Sequence, residues 1–216
     1  MSLQEQLSTL KAESIATHPK EKVDVLLDET EKLSKSGIVE AAPKTGDTLK
    51  DFTLPNHLGE KTSLASLRER GPVVVTFYRG GWCPYCNLEL RAYQAALPEI
   101  KAAGATLVAI TPELPDASLS TTEKNELEFE VLTDANSDYA RQLKLVFTLP
   151  ERLRPIYESF GINVEKHNGQ GQFDLPLAAT FVIDTDGAIA CAAVDADYTV
   201  RAEPADVVRV LESLRR

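Results

Sequence analysis

Cys83 and Cys86 stand three apart in the run Trp82-Cys83-Pro84-Tyr85-Cys86. Ahead of them lies an apolar, β-branched stretch, Val73-Val74-Val75-Thr76-Phe77-Tyr78, and behind them a helix-like segment begins at Asn87. Two thiols at this spacing, at a strand-to-helix turn, read as a redox pair. Unpaired N–H groups at a helix start, together with the helix dipole, favour a negative sulfur there. A thiol with a lowered pKa is a nucleophile near neutral pH. The second thiol, one helical turn on, is in reach of the first once it is oxidised. Arg79 is the candidate cation, weighed against a role pairing with a surface carboxylate. Trp82, Pro84 and Tyr85 complete the loop. Trp82 is expected to shield and pack it, and Tyr85 to meet a partner or project to solvent.

Other reactive residue types form no second centre. Zinc normally takes four ligands, but there is no second Cys-x-x-Cys, and His18, His57 and His167 are scattered. No metal is expected. His57 reads as a turn residue and His167 as solvated. Cys191 sits in the apolar run Ala188 to Val194 and reads as a buried structural thiol, with a remote resolving role as the alternative. Asp184 and Asp186 fit turn chemistry. Tyr198 and Arg201 receive no role.

Positioning the pair takes a sheet. The chain has 216 residues, enough for one well-cored domain plus an extension. Leu3, Leu7 and Leu10 share one helical face, Thr17-His18-Pro19 breaks it, and Val23 to Leu33 make a second stripe stopped by Gly37. Residues 1–44 are therefore expected to be a helical extension that packs on its own domain, with a dimer interface as the alternative. From Thr45 the order is β-α-β-α-β-α, then a hairpin at Asp186-Gly187 and a last helix, Pro204 to Arg215. Buried strands are expected at Val73–Tyr78 and Thr106–Ile110, with shorter or later ones at Glu130–Thr133 and Ala179–Asp184. Helices are expected at Asn87–Ala103, Ser118–Leu127, from a cap at Asn136 to Leu145, and at Pro150–Phe160. His167 to Gln172 reads as a polar loop. The class is α/β, a mixed central sheet flanked by helices over 45–216, with the cysteines at the carboxyl end of the sheet.

A net charge of −10 argues against nucleic acid or an anionic membrane as partner. No apolar run is long enough for a membrane span. Met1 to Gln6 does not read as a signal peptide. Three cysteines are too few for a disulfide-stapled secreted scaffold. A cytoplasmic chain, its pair reduced at rest, is expected.

Four stretches carry a family resemblance: Gly46 to Leu54, Val73 to Cys86, Phe129 to Asp134 with Tyr139-Ala140, and Ala179 to Gly187. On them the chain resembles the thioredoxin superfamily, and within it the peroxiredoxins of the alkyl hydroperoxide reductase and thiol-specific antioxidant type, over Thr45 to Arg215. The peroxiredoxin pattern Pro-x-x-x-Thr-x-x-Cys places Cys86 at the attacking position, Cys83 at the threonine and Arg79 at the proline. Thioredoxin's Trp-Cys-x-x-Cys instead makes Cys83 the nucleophile and Cys86 the resolving thiol, and Pro84-Tyr85 is the pair glutaredoxins carry. Both alignments stay open. Leu175-Pro176-Leu177-Ala178-Ala179 lacks the arginine many peroxiredoxins have there, and thioredoxin's cis-proline is displaced to Pro176. The resemblance implies a thioredoxin-like fold and a cofactor-free thiol peroxidase acting on hydrogen peroxide or organic hydroperoxides. A sulfenic acid would condense to a Cys83–Cys86 disulfide. A thioredoxin-like, glutaredoxin-like or low-molecular-weight thiol would reduce it, and a homodimer is implied by relatives. The alternatives are a thiol–disulfide oxidoreductase acting on protein disulfides and a redox-sensing module without turnover.

Overall fold

The computed structural model describes residues 1–215. Three helices come first, α1 (Leu3–Thr17), α2 (Lys20–Ser34) and α3 (Ile38–Ala41). Ser2 opens α1 with a capping box: its hydroxyl accepts from the Glu5 N–H, and the Glu5 carboxylate accepts from its own. Pro19 separates α1 from α2, and Gly37, at φ 82°, turns the chain after α2. A ribbon of β1 (Thr53–Pro55) and β2 (Lys61–Ser63) leads into α4 (Leu64–Arg68), which the Ser63 side chain caps. The body follows as β3 (Val73–Phe77), α5 (Pro84–Ala102), β4 (Thr106–Thr111), α6 (Pro115–Lys124), β5 (Glu130–Thr133), α7 (Asp138–Gln142), β6 (Val146–Thr148), α8 (Arg154–Ser159) and α9 (Val164–Asn168). It closes with β7 (Asp174–Pro176), β8 (Ala178–Ile183), β9 (Ile189–Asp195) and α10 (Pro204–Leu214).

The central sheet has the order β5-β4-β3-β8-β9. β3 runs parallel to β4 and β4 to β5, while β8 and β9 are antiparallel additions. Strand periodicity divides the core. Val74, Leu107 and Val182 face α1, α5 and α10, whereas Val73, Val75, Phe77 and Phe181 face α4 and α7. Every residue of β3 is buried, so the strand that delivers the cysteines is held from both faces. This is the mixed sheet expected from the alternating pattern.

α1 and α2 lie against their own chain. Leu3 and Leu7 join the core on the α5 side. The Leu3 and Gln4 N–H groups donate to the Glu203 carboxylate at 2.9 and 3.1 Å, and Lys11 pairs with Asp197 at 2.7 Å. Arg152 holds α2 through Asp28 and Glu29 at 2.8 and 3.0 Å.

Some local expectations fail. Asn136 is not a helix cap: it sits at φ 58° in a 3₁₀ turn, and α7 starts at Asp138. Asp134 binds the free N–H groups instead, accepting from Tyr139 at 2.8 Å and Ala140 at 2.9 Å. A short polar side chain tolerates the left-handed region, so Asn136 suits the turn before the helix. Pro150–Phe160 divides into a 3₁₀ turn, Glu151–Leu153, and α8. His167 and Asn168 end α9 rather than lie in a loop. β6 and β7 pair antiparallel beside the sheet. Three residues are too few to show a period.

Candidate active site

α5 begins at Pro84, three residues earlier than expected, with Cys83 as its N-cap. Proline suits a first helical position because its missing N–H would be unpaired there. Cys83 therefore lies at the positive end of the helix dipole and Cys86 in its first turn. Tight packing shapes the loop ahead of them. A Cβ on Gly80, at φ 154°, would stand 2.2 Å from Trp82 Nε1, and one on Gly81 2.0 Å from Thr121 Oγ1. The Gly81 N–H donates to the buried Glu113 at 2.9 Å, and the Gly81 carbonyl accepts from the Asn87 amide at 2.8 Å. Tyr78 and Thr121 also donate to Glu113, at 3.3 and 3.2 Å.

Both sulfurs are fully buried, and each has its own guanidinium. Arg79 Nη2 is 3.0 Å from Cys83 Sγ, and Arg79 Nη1 donates to the Tyr157 hydroxyl at 3.1 Å. The Arg79 guanidinium carbon lies 4.1 Å from the Tyr198 ring centre and 5.1 Å from that of Trp82, a favourable setting for a cation. Arg201 Nη2 is 3.4 Å from Cys86 Sγ, but its Nε donates to Glu89 at 2.7 Å. The two arginines differ in that respect. Arg79 has no carboxylate partner among the described residues, whereas Glu89 offsets the charge of Arg201.

The thiols respond unequally. Burial alone would raise Cys83, but hydrogen bonding from Cys86 and the charges of Arg79 and Arg201 outweigh it and hold Cys83 well below the ordinary thiol range. Cys86 is pushed well above that range by burial and by the hydrogen bond to, and negative charge of, Cys83. These surroundings favour the negative charge of the reduced pair on Cys83 rather than on Cys86. Burial also pushes Glu89 up to about 7 against the pull of Arg201.

All six expected loop residues gather here, with some changes of role. Arg79 is buried on a sulfur rather than paired at the surface. Tyr85 does not project to solvent: it is buried with its ring 5.5 Å from that of Tyr198. Trp82 packs on Tyr157 at 5.8 Å between centroids, as a shielding residue would. His167 is not free in solvent, since Nδ1 lies 2.9 Å from Glu113 Oε1. Cys191 is half-buried on β9, its thiol raised by burial. Asp184 and Asp186 do take backbone N–H groups of their own turn. Pro176 ends β7, and no peptide bond among the described residues is cis. The sequence reading missed Arg201, Tyr198, Tyr157, Glu89 and Glu113. Only Glu89 left a local signal, three residues beyond Cys86 on the same helix. Among the described residues no cluster of three or more His, Cys, Asp and Glu side chains is arranged to hold a metal ion, and no helix is long and apolar enough to cross a membrane.

A solved structure of peroxidoxin BcpB from Mycobacterium tuberculosis superposes with a TM-score of 0.63 at 24% identity, covering 80% of this chain and 99% of that one. Peroxiredoxin 6 of Arenicola marina gives 0.64 at 15% identity over 80% of this chain and 74% of that one. The fold is therefore the thioredoxin-like fold of peroxiredoxins. In sequence, a putative peroxiredoxin of M. tuberculosis is 29% identical over 143 residues, 66% of this chain and 80% of the relative. Peroxiredoxin Bcp of Escherichia coli is 27% identical over 146 residues, 68% and 82%. The model of the AhpC/TSA family matches residues 45–192, a span that contains β3, the cysteine loop and the β8–β9 hairpin, and the chain belongs to that family.

Proposed function

We propose that this chain is a thiol-dependent peroxidase in which Cys83 attacks the peroxide and Cys86 resolves the product. The observation that carries the assignment is the 3.0 Å contact of Arg79 with Cys83 Sγ, made by a guanidinium without a carboxylate partner among the described residues. The Cys83 thiolate attacks the outer oxygen of R–O–O–H. The S–O bond forms as the O–O bond breaks, Cys83 becomes a sulfenic acid that keeps the hydroperoxide proton, and the alkoxide leaves and takes a proton from solvent to become R–O–H. Arg79 is placed to stabilise the negative charge that shifts from sulfur to the leaving oxygen. The Cys86 thiol then displaces hydroxide from Cys83–S–OH, giving a disulfide and water. A thioredoxin-type dithiol restores the pair by exchange, becoming a disulfide itself. Glutaredoxin-like and low-molecular-weight thiols are the other reductants to test. A reducing, cytoplasmic compartment suits a pair that must start as dithiol.

A second reading, exchange with protein disulfides, rests on the thioredoxin-like motif. Complete burial of both sulfurs favours a small molecule over a protein disulfide as the first oxidant.

Trp82 is the only tryptophan and adjoins Cys83, so stopped-flow fluorescence reports the reaction directly. Reduced protein mixed with hydrogen peroxide should react orders of magnitude faster than a free thiol and end as a Cys83–Cys86 disulfide by mass spectrometry. Cys86→Ser should keep the fast step and stop at sulfenic acid, whereas Cys83→Ser should lose it. Loss of the fast step in Cys86→Ser with retention in Cys83→Ser would reverse the two roles. Free-thiol rates in the unaltered protein would leave disulfide exchange as the function.

A further inference from the structure

Arg79 stands between two cavities. The larger, of 340 Å³, is lined by Arg79, Tyr85, Phe160 and Ile162 together with Ser14 of α1, His18 just after that helix, and Leu26 of α2. The smaller, of 230 Å³, has Leu33 of α2, Phe147 and Leu153 among its lining residues. Tyr157 and Tyr198 border both. About 10–15 Å³ is enough to hold one water, so hydrogen peroxide needs only a small part of this space. The lining of the larger cavity is mostly aromatic and aliphatic. Even His18 contributes to that wall: its ring packs edge-on to Phe160 at 4.4 Å, and its Nδ1 is bound to the Ser14 carbonyl at 2.8 Å. Two of the cavity's lining residues, Arg79 and Trp82, carry donors. Arg79 is 3% exposed, and its Nε, like Trp82 Nε1, has no hydrogen-bond partner among the described residues. An unpartnered buried donor is costly, and a peroxide oxygen would satisfy one.

We propose that α1 and α2, which lie outside the family-matched residues 45–192, are the specificity element of this peroxidase: they wall a side chamber that receives the organic group of a hydroperoxide while its oxygens lie on Arg79 beside Cys83. The inference rests on the Cys83 peroxidase reading and adds no new bond-making step. The same walls disfavour a low-molecular-weight thiol reductant in the chamber. Its charged groups would meet few polar partners there, and unpaired charge is costly to bury.

Cumene hydroperoxide and hydrogen peroxide are the probes, with reduced full-length protein and Trp82 fluorescence in a stopped-flow instrument. Transferring a phenyl group from water to an apolar chamber should favour cumene hydroperoxide by roughly 10- to 100-fold in second-order rate constant. Leu26→Phe narrows the chamber without adding a second tryptophan and should lower the ratio of the two rate constants by about 10-fold. Should that variant fail to fold, cumyl alcohol added to the unaltered protein should inhibit hydrogen peroxide consumption competitively. A fast hydrogen peroxide reaction with a ratio near unity and no inhibition by cumyl alcohol would overturn the chamber and leave the peroxidase intact. Protection against cumene hydroperoxide by glutathione would assign the chamber to the reductant and overturn the proposal too. Free-thiol rates with both peroxides would remove the peroxidase reading on which it stands.

Discussion

Arg79 and Glu89 both shift the charge of a neighbour or of themselves, in opposite senses. Arg79 favours the thiolate of Cys83, whose pKa lies well below the ordinary thiol range. Reactivity should therefore persist below that range and fall only as pH drops through the lowered value. In Arg79→Met the fall should move to higher pH, read as the pH profile of iodoacetamide alkylation, and the peroxide rate constant should drop by roughly 10²-fold. Glu89 is raised from 4.5 to about 7 by burial. Its folded value exceeds its unfolded one, so its contribution to stability is complete below the unfolded pKa and is lost as pH rises through about 7. The loss is on the order of 3 kcal/mol. Urea titrations at about pH 5 and about pH 8 should show the unaltered protein losing stability relative to Glu89→Gln across that interval; a constant difference would contradict it. Arg79 was a legible candidate because it sits four residues before Cys83. Arg201 lies 115 residues beyond Cys86 in the chain, and no local pattern links them.

Loop and helix meet in a space too small for added atoms. Gly80→Ala would drive a methyl group into the Trp82 indole, where its Cβ has only 2.2 Å. The expected cost is about 1–3 kcal/mol, seen as a lower melting temperature together with an altered Trp82 emission. Glu113 ties this loop to Tyr78, Thr121 and His167. Glu113→Ala strips the buried Tyr78 hydroxyl of its acceptor, at about 1–3 kcal/mol, and should slow the peroxide reaction because the turn that aims Cys83 loosens. A variant with unchanged melting temperature and rate would show that the turn holds without it. The larger elements were legible: β3 and β4 announce themselves as continuous apolar runs, and Asp186-Gly187 marks its hairpin. Three-residue strands such as β6 and β7 carry no period, and Asn136 belongs to a left-handed turn that the residue type alone does not distinguish from a cap. Tyr157 reaches Arg79 through the packing of α8, a relation set by tertiary structure.

Across the whole molecule, α1 and α2 cover the site side of the fold. Their apolar residues pack on α5, on α10 and on the segment around Leu153 and Tyr157. A chain lacking residues 1–44 should therefore melt several degrees lower, as loss of a few kcal/mol of burial does in a domain of this size, and bind more of a hydrophobic dye. An unchanged melting temperature would mean that the helices only rest on the body. The placement of the Cys-x-x-Cys at the carboxyl end of the sheet was readable from element order, since local periodicity reveals that order. The enclosure of Arg79 was not, because its walls come from α1, α2 and α8 as well as the loop. The lone thiolate beside Arg79 has a thermodynamic consequence. Disulfide formation consumes that negative charge and leaves a buried cation unbalanced, so the protein environment stabilises the dithiol more than the disulfide. Such a pair is a comparatively strong oxidant of its reductant, because stabilising the reduced form raises the reduction potential. In a glutathione redox buffer the unaltered protein should stay reduced at buffer ratios that already oxidise Arg79→Met, and each turnover would end with the electrons of its dithiol partner drawn downhill into the site.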